Sequence, residues 1–481
     1  MRLPVTIIFL FTILNSFSQI QVKESEKSDT TQYSQGVHQD SVYIVYKGDN
    51  NKSSITLYAD LNNIDSLNYY WYKYNNQSKS FHFLIKFDTV KNCEIKYDDP
   101  TQDMNKYEGG YRVHIFNQDK GIDTTFTVWV WYQDFFINSI SIYSSTCTNL
   151  ELMADTSFQD VFTYYDLSVS DNPPLKLTNE TILKWTVDPG STSDIRYGVN
   201  PRFSAPVEAT TYTVTGIDKY GFSRERTATL DETRFDSKGY PYLRAVEAEF
   251  EAIHGIEEGD NKPSNDTAIH VEAPHGVWFF NKSKNAELFD WIFYNHIDWY
   301  QTPDDSMLYT TTFFEPSDSI YYERPVRNST SPKGYDVQLT VQGPIYNDNG
   351  DRCFDPEKKI NFIIVDSTQF PSNYKELPNV FTPDASNNNY FYFVHKPESS
   401  EKPVKSISYF SIKIYNRWGN KIYEYEDNDG SWQEPGKDKP GWDGTTRVGT
   451  KAKPGVYYYV ILAKGWDSRD FKVGGFVHIF Y

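Results

Sequence analysis

Chemistry in this chain would have to start from a few clusters, and paired carboxylates come first. Glu257-Glu258 and Asp304-Asp305 are the doublets that could serve a glycosidase, which needs two carboxyl groups about 5 to 10 Å apart across a cleft. With 65 Asp and Glu in 481 residues, such doublets arise without any catalytic demand, and solvated faces are their expected place. The nearest metal-like cluster is His270-Val271-Glu272-Ala273-Pro274-His275. Pro274 argues against the helix through which zinc-protease spacing brings two imidazoles to one face, so these side chains read as surface polar residues. The sequence contains no Gly-x-Ser-x-Gly elbow, His-Glu-x-x-His helix, phosphate-cradling Gly-Lys-Ser loop or Cys-x-x-Cys pair. It therefore offers no catalytic residue, no cofactor-binding residue and no metal ligand.

Aromatic runs are the remaining candidates. Residues 69–72, 129–132 and 278–280 could stack on sugars, but the same residues fill strand cores, and core packing is the expected use. Cys93, Cys147 and Cys353 are too few and too widely spaced for a disulfide scaffold. At most one pair can bridge, and which pair is left open.

The elements that would hold these residues are strands. Stretches such as Ser54-Ile55-Thr56-Leu57-Tyr58, Phe83-Leu84-Ile85-Lys86-Phe87 and Tyr111-Arg112-Val113-His114-Ile115 place alternate side chains on one face, the pattern of a half-buried strand. An aromatic content of 17% with 38 Tyr, 32 Phe and 4 Met favours strands over helices. The one helical candidate, residues 243–253, is short. The class is all-β.

Met1-Arg2, an apolar stretch at residues 5–14 and Ser16-Phe17-Ser18 before Gln19 follow the order of a secretory signal peptide, residues 1–18. The stretch is about half the ~20 residues of a membrane-spanning helix, and no transmembrane segment is expected elsewhere. Residues 19–36 are polar and read as a disordered linker. Without Arg2 the formal charge moves from −18 to −19, spread along the chain, which argues against nucleic acid as a partner.

The remaining length exceeds one core and divides where strand-rich blocks meet polar turns. Block 37–134 carries Trp71 and then Gly109-Gly110-Tyr111, and block 138–231 carries Trp185 and then Thr210-Thr211-Tyr212. A central Trp followed by a later Tyr strand resembles an immunoglobulin-like sandwich. Block 242–368 carries Gly276-Val277-Trp278-Phe279-Phe280, Phe289-Asp290-Trp291-Ile292-Phe293 and Tyr335-Asp336-Val337-Gln338-Leu339. These phrases resemble, in order, the strands of a PKD-like extracellular module, a class with no shared active site.

Residues 375–481 carry five ordered phrases. They are Pro378-Asn379-Val380-Phe381-Thr382-Pro383, Tyr415-Asn416-Arg417-Trp418-Gly419, Trp442-Asp443-Gly444, Pro454-Gly455-Val456-Tyr457-Tyr458-Tyr459 and Gly474-Gly475-Phe476. Together they resemble the gliding-motility-associated C-terminal domain of Bacteroidota, the type B sorting domain of the type IX secretion system. After Pro383 the family's Gly- and Asp-rich loop is replaced by Asp384-Ala385-Ser386-Asn387-Asn388-Asn389, which removes most groups that would hold a cation. From alternation and the placement of turn residues, residues 410–425 read as a β-hairpin and Pro454-Gly455 as a type II turn.

The expectation is tandem immunoglobulin-like and PKD-like β-sandwiches ending in a β-sandwich sorting domain. The resemblance implies export across both membranes to the cell surface or medium, with the type IX machinery as partner, and the missing catalytic motifs make a non-catalytic protein the expectation. A surface polysaccharide or protein is the expected kind of ligand for the sandwiches. The rival readings are a secreted hydrolase with an unrecognised site and a carbohydrate-binding surface protein. The signal-peptide reading predicts a mature N-terminus at Gln19, and terminal sequencing that recovers Met1 on exported protein would remove it.

Overall fold

The computed structural model describes residues 20–36, 39–46, 54–59, 61, 64, 66–96, 107–190, 194–254, 268–294, 307–323, 334–365, 368–371, 377, 379–384, 391–392, 404, 406–430 and 441–481. The signal segment, Pro378, both acidic doublets and the loop at 385–390 lie outside them. No α-helix occurs among the described residues, and the protein is all-β. It divides into two compact units, one of Met1–Ser145, Asn149–Ser204 and Ala209–Asp231, the other of Thr146–Thr148, Ala205–Glu208 and Glu232–Tyr481.

The first unit is organised by a six-stranded sheet ordered Lys27–Thr30, Ser41–Tyr46, Ile122–Gln133, Gly109–Asn117, Asn68–Asn75, Ser80–Asp88. Ser41–Tyr46 runs parallel to Ile122–Gln133, with Val42 opposite Trp129 and Ile44 opposite Trp131. Strands buried on both faces read as continuous apolar runs, and residues 128–132, Val-Trp-Val-Trp-Tyr, form one. One face packs on the sheet Ile20–Val22, Ser54–Ala59, Asn92–Lys96, enclosing Trp71, Tyr69, Val113, Leu57 and Cys93. The other face buries Val42, Ile44, Tyr46, Trp129 and Trp131 against Phe162, Tyr164 and Leu177 of the hairpin Val161–Tyr165 and Pro174–Thr178.

Residues 20–36 correct the expectation of a disordered linker, since they supply strands Ile20–Val22 and Lys27–Thr30. Ile20 and Val22, two residues apart, point into the core opposite Ala59 and Leu57. Two well-placed side chains on a vacant sheet edge outweigh the polarity of their neighbours, and Lys27–Thr30 stays polar because it is an edge.

Rim contacts tie this N-terminal stretch to residues 160–222. Tyr164 Oη accepts from the Gln32 amide at 2.9 Å, Asp166 accepts from the Ser34 amide at 2.8 Å, and Tyr220 donates to Asp29 at 2.8 Å. The buried Asp218 carboxylate collects four donors. They are the Tyr46 hydroxyl, Asn179 Nδ2 at 3.3 Å, and the amides of Tyr220 and Phe222 at 2.9 and 2.8 Å. The Tyr46 ring stacks on Phe222 at 3.7 Å. Around this junction the chain builds the sheet Arg196–Tyr197, Thr181–Asp188, Thr210–Asp218, Ser223–Leu230, where Trp185 is buried and donates to Gly198 O at 2.8 Å.

In the second unit a five-stranded sheet runs Ile269–Val271, Arg352–Val365, Tyr335–Ile345, Leu288–Tyr294, Met307–Thr311, and a three-stranded sheet runs Phe250–His254, His275–Asn281, Ile320–Tyr322. Both contribute to one core around Trp291, Phe250, Phe279 and Leu339. The helical candidate at 243–253 is corrected here: Ala248, Phe250 and Ala252 are buried alternately, a period of two that belongs to a strand. Cys147 and Cys353, both counted in this unit, form a disulfide, and Cys93 is free and buried.

Replacing Asp218 with alanine strands the Tyr46 hydroxyl and two backbone amides in a dry site, at about 1–3 kcal/mol for each orphaned donor. The expected outcome for Asp218→Ala is a lower urea midpoint with an unchanged slope. An unchanged midpoint would show that those donors do not depend on the carboxylate.

Candidate functional site

The described motif residues in 375–481 lie on, or in turns beside, a five-stranded sheet ordered Val380–Phe381, Asp470–Ile479, Gly455–Gly465, Ile407–Tyr415, Lys421–Asp427. A two-stranded piece, Phe391–Tyr392 with Gly441–Trp442, accompanies it. From Tyr457 on, the strand Gly455–Gly465 alternates, burying Tyr457, Tyr459, Ile461 and Ala463 and turning Tyr458, Val460 and Leu462 outward.

Trp442 is the collecting point. It is fully buried, with ring centroids of Phe381 at 5.3 Å, Tyr457 at 5.1 Å and Tyr423 at 6.4 Å, and its Nε1 donates to Thr445 O at 2.7 Å. Asp443 Oδ1 accepts from the Thr445 amide at 2.8 Å and its hydroxyl at 2.6 Å, closing the turn that Gly444 makes at φ +80°. A Cβ at Gly444 would stand 2.7 Å from Pro383 Cγ, so the first phrase and the third interlock through an absent side chain. Asn379 O accepts the His478 amide at 2.8 Å and Phe381 O the Phe480 amide at 3.2 Å, which seats Val380–Phe381 parallel to the last strand. Thr382 follows, half-buried.

The Tyr415 to Gly419 phrase is the hairpin turn expected between Ile407–Tyr415 and Lys421–Asp427. Asn416 Oδ1 accepts the amides of Trp418 and Asn420, each at 3.0 Å, and Gly419 takes φ +81°. Trp418 is 70% exposed, with the Arg417 guanidinium 4.1 Å above its ring. The phrase at Pro454 and Gly455 differs from expectation. Gly455 sits at φ +147° as the first residue of its strand, an extended conformation with positive φ in place of the roughly +80° of a type II turn. Gly475 lies opposite Tyr459.

Burial pushes the hydroxyls of Tyr459 and Tyr423 up to about 12, so both stay neutral; Tyr423 donates to Gly441 O at 3.1 Å. The composition-based reading missed three supports. Thr445 caps the Asp443 turn, Tyr481 donates to Ala452 O at 2.7 Å, and Glu424 faces Lys421, Lys413 and Arg447, with the Lys421 hydrogen bond holding its carboxyl below the usual range. The doublet of threonine after Gly444 and the final tyrosine were signals available in the sequence. The domain also docks on the preceding sandwich. Trp466 packs against that core, and Arg469 Nη2 donates to Thr368 O at 2.6 Å.

The other candidates separate by exposure. Trp129, Trp131 and Tyr132 are buried, as are Tyr69 and Trp71, so these runs are core. Trp278 is 42% exposed on a strand whose neighbour turns out Tyr321 at 60%. His270 and His275 stand on strands of different sheets. Among the described residues no group of three or more His, Cys, Asp or Glu could hold a metal ion.

Residues 375–479 match the family model described as the CHU_C type IX secretion signal domain. No curated protein matches the chain. Solved structures similar to it include a tetra-tandem repeat from the extending region of a large adhesion protein, 10% identical over 89% of this chain and 95% of that one, with a TM-score of 0.21. Another is a 1.5-MDa bacterial ice-binding adhesin, 8% identical over 69% and 91%, with a TM-score of 0.19. The N-terminal four immunoglobulin domains of a Dscam1 isoform are 7% identical over 96% and 98%, with a TM-score of 0.21.

Gly444 and Gly455 both need positive φ, but only Gly444 also faces a neighbour, since nothing lies within 4 Å of a Cβ at Gly455. Gly455→Val is expected to cost about 1–3 kcal/mol of backbone strain. Gly444→Val adds overpacking against Pro383, about 1–3 kcal/mol more. Hydrogen exchange of peptides from 455–465 should rise in both variants and rise further in Gly444→Val; the reverse order would remove the interlock.

Proposed function

We propose that this chain is a non-catalytic surface protein whose C-terminal domain, residues 375–481, is an export address read by the type IX secretion machinery. Blocks 37–134, 138–231 and 242–368 serve as spacing or adhesive sandwiches. The observation that carries the reading is the family match at 375–479. The ordered phrases also support it, because Phe381 and Tyr457 pack on the buried Trp442 indole and Pro383 meets Gly444 two residues further on. A sequence that spends its distinctive residues on one compact, one-sided sheet provides a rigid body of fixed shape, which a secretion apparatus can recognise independently of the cargo ahead of it.

The sandwiches present sheet faces and turns, and a polysaccharide or protein ligand is the class that such surfaces suit. Export through the type IX system places the mature chain on the cell surface or in the medium. No helix among the described residues is long and apolar enough to cross a membrane.

Deletion of residues 377–481 is expected to leave the remainder in the periplasm of a bacterium that carries the type IX machinery. Fusion of 375–481 behind a signal peptide and a fluorescent reporter should carry the reporter out, and should fail in a mutant without the machinery. The fusion is the cleaner arm, because deletion also uncovers the surface where Trp466 packs. A truncated chain at normal level on the cell surface would make the domain an ordinary sandwich.

A further inference from the structure

Cys147 and Cys353 are joined across 206 positions of sequence. Cys147 lies in the tight turn between the paired strands Phe135–Ser145 and Asn149–Phe158. Cys353 is buried as the second residue of Arg352–Val365. The chain between them includes strands from Asn149–Phe158 through Tyr335–Ile345, which is most of the second block and most of the third.

We propose that this bond is a covalent bypass for tension. A pull applied between the two ends of the chain reaches Cys147 along the backbone, crosses the sulfurs to Cys353 and continues to the C-terminus. Residues 148–352 then form a closed loop outside the covalent load path, reached by the force only through the ladders that pair them with Phe135–Ser145 and with Arg352–Val365. The elements left in the load path are the first block, the strand Phe135–Ser145, the part of Arg352–Val365 beyond Cys353 and the C-terminal domain. Without the bond, every sandwich would be loaded in series, and the weakest would yield first. β-Sheets resist or yield to force through their ladders, so leaving a single strand of each of two sandwiches in the path limits how far either can be pulled apart while the chain is stretched. An exported protein meets the oxidising conditions in which such a bond persists. The proposal rests on the surface-protein reading only for the source of the tension; the bypass itself follows from connectivity.

The test is single-molecule pulling of residues 19–481 with handles at the two ends. An extended chain spans about 3.3–3.6 Å per residue, so the loop hides roughly 700 Å of length. Complete unfolding of the oxidised protein should fall short of the dithiothreitol-treated protein by that amount. Holding the unfolded, oxidised chain under load while adding dithiothreitol should release the same length in a single late step, which needs no variant and no native fold. Cys147→Ser and Cys353→Ser should each give the long value in both conditions. Equal lengths with and without reductant would overturn the proposal, as would a deficit of another size, which would mean that Cys93 had displaced one partner. Neither result depends on the export experiment, so the two readings can fail separately.

Discussion

Residues 128–132 have no side that can face water, and the first unit follows from that constraint. Alternation ordinarily lets a sheet bury one face and wet the other, but Val128 and Val130 point to one side and Trp129 and Trp131 to the other, and all four are fully buried. The first side is met by the small sheet that carries Leu57 and Cys93. The second is met by the aromatic hairpin carrying Phe162 and Tyr164. Two blocks that look separate along the sequence therefore share a sheet as a common wall. The rim of that wall is where polar groups must be satisfied, and Asp218 does so by accepting from donors on both blocks.

The C-terminal domain obeys the opposite rule. Its central strand alternates from Tyr457 to Gly465, and the outer face keeps Tyr458, Val460 and Leu462 in contact with solvent. Its specificity is carried by turns and by one indole. Asn416, Asp443, Gly419 and Gly444 each fix a reversal of the chain, and Phe381, Tyr423 and Tyr457 fill the space around Trp442. Short phrases identify this domain because its phrases are the places where the backbone has least choice.

That difference explains what could be read in advance. The all-β class and the 410–425 hairpin followed from period two and from Asn and Gly placement, both local properties. Ile20 and Val22 were missed because a strand of three residues has too little pattern to outweigh polar neighbours; its existence is decided by the vacant edge of Ser54–Ala59. Residues 243–253 offered several apolar positions that fit a helix as well as a strand until Phe250 found Asn281 as its partner. The choice of Cys147 and Cys353 over Cys93 is a fact of three-dimensional proximity, and no spacing rule contains it. The aromatic runs were ambiguous for a related reason: Trp129 and Trp278 have the same chemistry, and only the second sheet face decides which is buried.

The parallel pairing of Ser41–Tyr46 with Ile122–Gln133 also sets a timetable. Contacts between residues far apart in sequence close slowly, and here the first strands made must wait for their partners to be made at all. At about 5–20 residues per second of synthesis, Ile44 precedes Trp131 by roughly 4 to 17 seconds, and Tyr46 waits longer still for Phe222. During that interval the strand of Val42 and Ile44, paired on one side with Lys27–Thr30, has its other edge bare and an apolar face uncovered, the condition in which chains associate with the wrong neighbour. A nascent chain of this protein therefore passes through its most adhesive state before it has any of the surfaces it will finally display.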